Sequence, residues 1–221
     1  MRLLLRVDDC GWRPEDKSND RNLEYFRKWR AAIKAVSPRF DGWIPSTITN
    51  DEIKDLHDLL KPDEEVSVHG NTHRRGEFND RFLMDQNRDR FELLMKGRKV
   101  RSYIAPFNEY TTKTVEDWGH ECPGGLFFGG FNGEHHDFGD LPSNVGRAVH
   151  LPAIRDLYDR AGPILANLSK YQYTQCPLVV TLHATWDAGN LEALGPLADA
   201  LAPHLVGYDY VKDWMAKTHL D

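Results

Sequence analysis

Residues 3–9 read Leu-Leu-Leu-Arg-Val-Asp-Asp. Leu3–Val7 has the make-up of a short buried strand, and two carboxylates stand directly behind it. The pattern recurs downstream. Glu65–Val68 reads as a strand followed by His69, Ser102–Ala105 is followed by Pro106-Phe107-Asn108, and Leu178-Val179-Val180-Thr181-Leu182 is followed by His183. Four segments far apart in the chain thus each end on residues with chemistry to offer. Further strands are expected at Phe40–Ile44, Leu126–Phe128, Ala148–Leu151 and Leu205–Tyr208. Between them lie helix-forming stretches. Leu23, Phe26, Trp29, Ile33 and Val36 recur near 3.6 spacing within Asn22–Val36. Thr49-Asn50 can cap a helix over Asp51–Leu60 that Pro62 ends, and Arg81–Met95, Thr112–Trp118, Ile154–Leu168, Asn190–Leu201 and Val211–Lys217 are the other candidates. Strand–helix alternation without linker or repeat argues for parallel strands with helices outside. Seven or so strands suit a closed or nearly closed barrel. In such a barrel the C-terminal strand ends share one face, and catalysis belongs there.

Composition sets limits on the rest. The chain has 221 residues, 40% of them hydrophobic, enough for one good core, and is read as a single domain over 1–221. A net charge of -6 leaves no global basic field for nucleic acid or acidic lipid. Cys10, Cys122 and Cys176 form no Cys-x-x-Cys, so neither a disulfide framework nor a thiolate zinc site is indicated. Cys10 adjoins Asp9 and could line the pocket. The first apolar run is too short for a signal peptide, and no stretch is long enough to span a bilayer. A cytoplasmic protein with a small-molecule or glycan substrate is expected, without nucleic acid or membrane as partner.

His69-Gly70-Asn71-Thr72-His73 sets two histidines four apart. On a helical turn these share a face, so both imidazoles can bind one ion. Alone, such a pair is more often two solvated loop histidines. Beside strand-end carboxylates the balance reverses. Asp9 would complete a two-histidine, one-carboxylate site for a divalent ion, with zinc the expected metal and positions left open for water and substrate. Two adjacent carboxylates at a buried strand end repel unless a cation or proton intervenes. With Asp9 as ligand, Asp8 is then placed as a general base. His183 would be a core histidine by default; its strand-end address makes it the candidate general acid. Pro106, Phe107, Asn108 and Trp186 are candidate substrate contacts. His135-His136 lies in a glycine-rich stretch, Cys122–Asn144, that reads as a strand followed by a long surface loop.

These residues resemble the NodB-homology polysaccharide deacetylases, carbohydrate esterase family four. Arg6-Val7-Asp8-Asp9-Cys10-Gly11 stands where that family has Thr-Phe-Asp-Asp-Gly. His69-Gly70-Asn71-Thr72-His73 matches His-Ser/Thr-x-x-His, Pro106-Phe107-Asn108 matches the end of the third motif, and Leu182-His183 matches the last. The resemblance covers residues 3 to about 187. It implies a distorted (β/α)7 barrel, Asp8 as base, His183 as acid, Asp9, His69 and His73 around a metal that is usually zinc, and removal of an acetyl group from an N-acetylated sugar. The arginine that orients the base in that family, two residues before the proline, is replaced by Ile104; Arg101 is nearby but out of register. Gly70 and Phe107-Asn108 also depart from the family pattern. A non-sugar amide or cyclic ureide as substrate, or a non-catalytic carbohydrate-binding role, are the alternatives. The lack of an added polymer-gripping domain and of a signal favours a short sugar over an insoluble glycan, with Gly124–Asn144 bordering the pocket.

Overall fold

The computed structural model describes residues 1–10, 22–32, 36–77, 80–110, 126–131, 148–150, 177–184 and 191–218. Its strands are β1 (Leu3–Cys10), β2 (Arg39–Trp43), β3 (Glu64–Val68), β4 (Ser102–Tyr110), β5 (Leu126–Phe131), β6 (Ala148–His150) and β7 (Leu178–His183). The described helices are α1 (Asn22–Ala32), α2 (Asn50–Leu59), α3 (Arg81–Leu94), α4 (Leu191–Leu201) and α5 (Tyr208–Thr218). The seven strands form one sheet in the order β5-β4-β3-β2-β1-β7-β6, with every strand pairing parallel. The α/β class and parallel sheet match the sequence expectation. The expected helices Thr112–Trp118 and Ile154–Leu168 lie outside the described residues.

The strands alternate in what they bury. On β1, Leu3, Leu5 and Val7 join a core cluster with Phe26 and Trp29 of α1, Ile53 and Leu56 of α2, Met84 and Phe91 of α3, and Leu197 and Leu201 of α4. Leu4 joins a second cluster with Phe40, Ile104, Leu126, Phe128 and Val179. The first cluster is the layer between sheet and helices; the second fills the concave face. Phe40 of β2 and Phe128 of β5 have ring centroids 4.9 Å apart, although β3 and β4 lie between their strands. In a flat sheet three strand spacings would hold them ~14 Å apart. The sheet is therefore strongly curled, and its interior is packed rather than open.

Local signals account for several boundaries. Thr49 caps α2 through a reciprocal bond pair with Glu52, and Asp80 caps α3 by accepting from the Leu83 amide. The expected strand Leu205–Tyr208 is corrected. Leu205 makes only an isolated bridge to Leu3, the Val206 amide donates to the Leu3 carbonyl at 2.9 Å, and α5 begins at Tyr208. Val206, Val211, Tyr208 and Trp214 pack instead against the interior cluster, so this segment serves as a plug rather than a strand. Leu3 and Leu4 belong to the start of β1, so the plug closes the N-terminal end of the sheet and leaves the C-terminal end for a site. Among the described residues no helix is long and apolar enough to cross a membrane.

Charge is also buried between sheet and helices. Arg39, on the outer face of β2, donates from Nε to Asp41 at 2.8 Å and pairs with Glu64 at 3.2 Å. Its guanidinium lies 5.7 Å from the Phe26 ring centroid and 5.4 Å from that of Trp29. All three charged side chains are fully buried. Removing Arg39 would take away the guanidinium partner of Asp41 and leave Glu64 with Arg30. Arg39→Met should therefore destabilise the protein by about 3–5 kcal/mol, read as a lowered urea midpoint without loss of the parallel-sheet circular dichroism at low denaturant.

Candidate active site

Asp8, Asp9, His69 and His183 meet where the C-terminal ends of β1, β3 and β7 converge. In a regular strand, consecutive residues point to opposite faces, so Asp8 and Asp9 could not both serve one site. A bulge resolves this. Val7 is level with Asp41 and Cys10 with Trp43, so three steps on β1 face two on β2, and Asp9 takes φ 58. Asp8 keeps the interior orientation of Leu4 and Arg6, and the bulge re-aims Asp9 toward His69 and His73. It also returns Cys10 to the outer core, where the thiol is fully buried and lies 3.6 Å from the Val7 carbonyl. Cys10 therefore does not line the pocket. Burial, and next the nearby Asp41 carboxylate, push its thiol pKa well up, which keeps it protonated and unreactive.

His69 and His73 reach Asp9 by different means than a helical turn. Residues 69–73 are bends and loop, with Gly70 at φ 72 and His73 at φ 59. The loop is held by Glu77, which accepts from the Asn71 amide at 2.8 Å and the Thr72 amide at 2.9 Å, and also from the Thr72 hydroxyl. A Cβ on Gly70 would collide with the Glu77 carboxylate and with Pro106 Cγ. Glycine is thus required here, where the deacetylase pattern has Ser or Thr. Sequence reasoning missed Glu77, since nothing in the spacing of Thr72 and Glu77 announces the contact.

The donor set is specific. His69 Nδ1 lies 2.8 Å from the Ile104 carbonyl, an acceptor only, so Nδ1 carries the proton and Nε2 presents a lone pair. That lone pair faces Asp9 Oδ1 at 3.3 Å, and His73 Nε2 faces the same oxygen at 3.2 Å. The ligand atoms of all three residues lie within 4.8 Å of one another. Convergence of lone pairs on a small volume fits a cation. Burial lowers the His69 pKa, but Asp8 and Asp9 outweigh it and the net shift is upward; the His73 pKa is lowered by burial and by His69.

Asp8 is held by Arg6. Nε donates to Oδ1 at 2.6 Å and Nη2 donates to Oδ2. Burial pushes the Asp8 carboxyl up, but Arg6, His69 and His183 together hold it well below the usual carboxylate range. Arg101 pairs with Glu65 and lies over the Tyr208 ring at 3.9 Å, toward the plugged end, so it does not approach Asp8. His183 is level with Asp8 on the neighbouring strand, and both face the interior. Pro106 is buried beside Gly70. Phe107, at φ 57 and 40% exposed, stacks on His73 with centroids 4.8 Å apart. The Arg75 guanidinium lies 4.8 Å from the other ring contact, the Phe107 centroid, and pairs with Glu109. Asn108 falls within β4, with its side chain outside the described residues; Trp186, His135 and His136 lie outside them entirely.

No family model matches the sequence. No curated protein matches it either. Solved structures do match in fold. A protein of Mycobacterium smegmatis described as a candidate polysaccharide deacetylase aligns with a TM-score of 0.65 at 12% identity, over 100% of this chain and 91% of that one. A family 4 acetyl xylan esterase from Clostridium thermocellum, in complex with a cobalt ion, aligns at 0.56 and 12% identity, over 95% and 90%. A family-four pseudoenzyme from Bacillus anthracis aligns at 0.52 and 14%, over 96% of this chain and 65% of that one. The chain therefore has the fold of the family-four carbohydrate esterases, and the resemblance read from its motifs holds at that level.

Two substitutions probe the loop. Gly70→Ser should cost about 1–3 kcal/mol, from left-handed φ plus the Pro106 contact, measured by denaturant unfolding. Glu77→Ala should cost about 1–3 kcal/mol, because the Asn71 and Thr72 amides lose their acceptor, measured in the same way.

Proposed function

We propose that this chain is a metal-dependent hydrolase, a single domain on a distorted (β/α)7 barrel, that removes an acetyl group from an N-acetylated sugar or glycan. The observation that carries the reading is the convergence of Asp9, His69 and His73, whose ligand atoms lie within 4.8 Å of one another, beside Asp8 and His183 at the same face. Those three residues would hold one divalent ion, zinc in the proposal, which supplies Lewis acidity toward an acyl oxygen and toward water.

The chain's own groups do the proton work. Asp8 stays ionised and accepts the proton of an attacking water. His183, level with Asp8 on the next strand, delivers a proton to the departing nitrogen. The products are acetate and a free amine. Phe107 over His73 gives the site an apolar wall with its ring partly exposed; with Pro106, Asn108 and Trp186 it is the proposed border of the substrate. A second reading, hydrolysis of a non-sugar amide or cyclic ureide, is favoured by Gly70 and Phe107-Asn108 standing where sugar-acting relatives carry other residues.

The purified protein should contain about one zinc per chain, and activity lost to a chelator should return with zinc, cobalt or nickel. Acetate release would be measured from monomeric acetamido sugars, chito-oligomers and polymeric chitin or peptidoglycan. Release from the short substrates is expected, release from polymer alone would remove the small-substrate claim, and release from none with metal bound would move the reading to a non-sugar amide. Asp8→Asn and His183→Ala should each keep the metal and lower kcat about 100- to 10,000-fold. Full activity in Asp8→Asn would assign the base elsewhere.

A further inference from the structure

Arg6 and Asp8 are two residues apart on β1, so both side chains point into the concave interior. The guanidinium engages both carboxylate oxygens, Nε to Oδ1 at 2.6 Å and Nη2 to Oδ2. Arg6 is fully buried and out of reach of any substrate. A buried ion pair is expensive to desolvate and is often replaceable by apolar residues without loss of stability. Its presence in the interior is therefore best explained by what it does to Asp8.

The bulge at Asp9 supplies the reason. It brings two adjacent carboxylates to the same side of one strand, next to two imidazoles. Two free carboxylates beside one cation would compete to ligate it. Only Asp9 has an oxygen facing His69 and His73, at 3.3 and 3.2 Å, and only Asp9 belongs to the cluster of converging ligand atoms. Asp8 is instead gripped from the interior side by a planar fork that fixes its carboxylate plane.

We propose that Arg6 is a positioning residue that divides the labour between the two aspartates: it holds Asp8 off the metal, leaving Asp9 as the ligand and Asp8 as an unligated carboxylate beside it. The position that in family-four deacetylases orients the base from the third motif is filled here by Ile104, a buried member of the same interior cluster as Leu4. The guanidinium comes instead from the strand that carries the base. What Asp8 does with a proton rests on the hydrolase reading above; where Asp8 is held does not.

The test uses the full chain loaded with cobalt, whose visible absorption reports its ligands, together with turnover. Asp8→Asn should leave the parent spectrum unchanged, because Asp8 is not a ligand. Arg6→Met should alter the spectrum as the released carboxylate enters the coordination shell, and the Arg6→Met/Asp8→Asn double variant should return it to the parent form. In turnover, Arg6→Lys and Arg6→Met should lower kcat about 100-fold with KM within about twofold. In the Asp8→Asn background the same changes should add less than about threefold. A parent-like spectrum in Arg6→Met overturns the proposal, as does a kcat loss that adds in full to that of Asp8→Asn. Should Arg6→Met fail to fold, the double variant, which buries no unpaired charge, decides: a spectrum different from that of Asp8→Asn overturns the proposal. Failure of the parent to hydrolyse any acetylated compound would remove the hydrolase reading, and the cobalt series would still decide where Asp8 is held. A parent that binds no cobalt overturns both.

Discussion

The bond from His69 Nδ1 to the Ile104 carbonyl crosses from the end of β3 to β4 and fixes which nitrogen of His69 carries its proton. Most of the site's chemistry depends on it. With Nδ1 committed, the neutral ring presents a lone pair from Nε2 to Asp9, and that contact needs a second proton or a cation between the two. The bond exists because parallel pairing sets Val68 level with Tyr103, which brings the residue after β3 beside Ile104. Backbone register in the sheet thus becomes a statement about tautomer, and the tautomer becomes a preference for a cation.

The two faces of the sheet divide the work. The outer face carries the large apolar core against the helices, together with the Arg39 ion network clasped by Phe26 and Trp29. The inner face changes along its length from apolar packing at Leu4, Phe40 and Val179, through Arg6 and Thr181, to Asp8 and His183 at the open end. Val206 and Val211 close the other end. Polarity rises toward the end that carries Asp8 and His183, and Arg6, fully buried below them, is paired with Asp8 rather than left alone in the packed centre.

Strand positions were legible because each apolar run stops abruptly at polar residues, and β1, β2, β3 and β7 lie within a few residues of where the sequence places them. Periodicity also located α1, and the Thr49-Asn50 cap with Pro62 located α2. The site was legible as a set of residues because parallel strands share one chemical end. The means of assembling it were not. Nothing in Val7-Asp8-Asp9-Cys10 signals a left-handed residue at Asp9, and a regular strand would have put Cys10, not Asp9, on the same side as Asp8. The spacing of His69 and His73 was compatible with a helical turn, and the loop reaches the same juxtaposition through Gly70 and Glu77. Arg6 was findable, since an arginine two residues before a carboxylate in a buried strand must share its face. Leu205–Tyr208 has strand-like composition, but a single bridge to Leu3 and the packing of Val206 inward left it no ladder to join.

Asp9, His73 and Phe107 are three non-glycine residues with φ between 57 and 59, all at this site. Each such conformation costs of order 1–3 kcal/mol and persists only where its surroundings enforce it. A designer who copied the five side chains onto the strand ends of another parallel sheet would therefore obtain the right residues aimed in the wrong directions. The transferable unit is larger: the bulge in β1, the glycine and its carboxylate clamp, and the long irregular end of β4 would have to travel with the side chains.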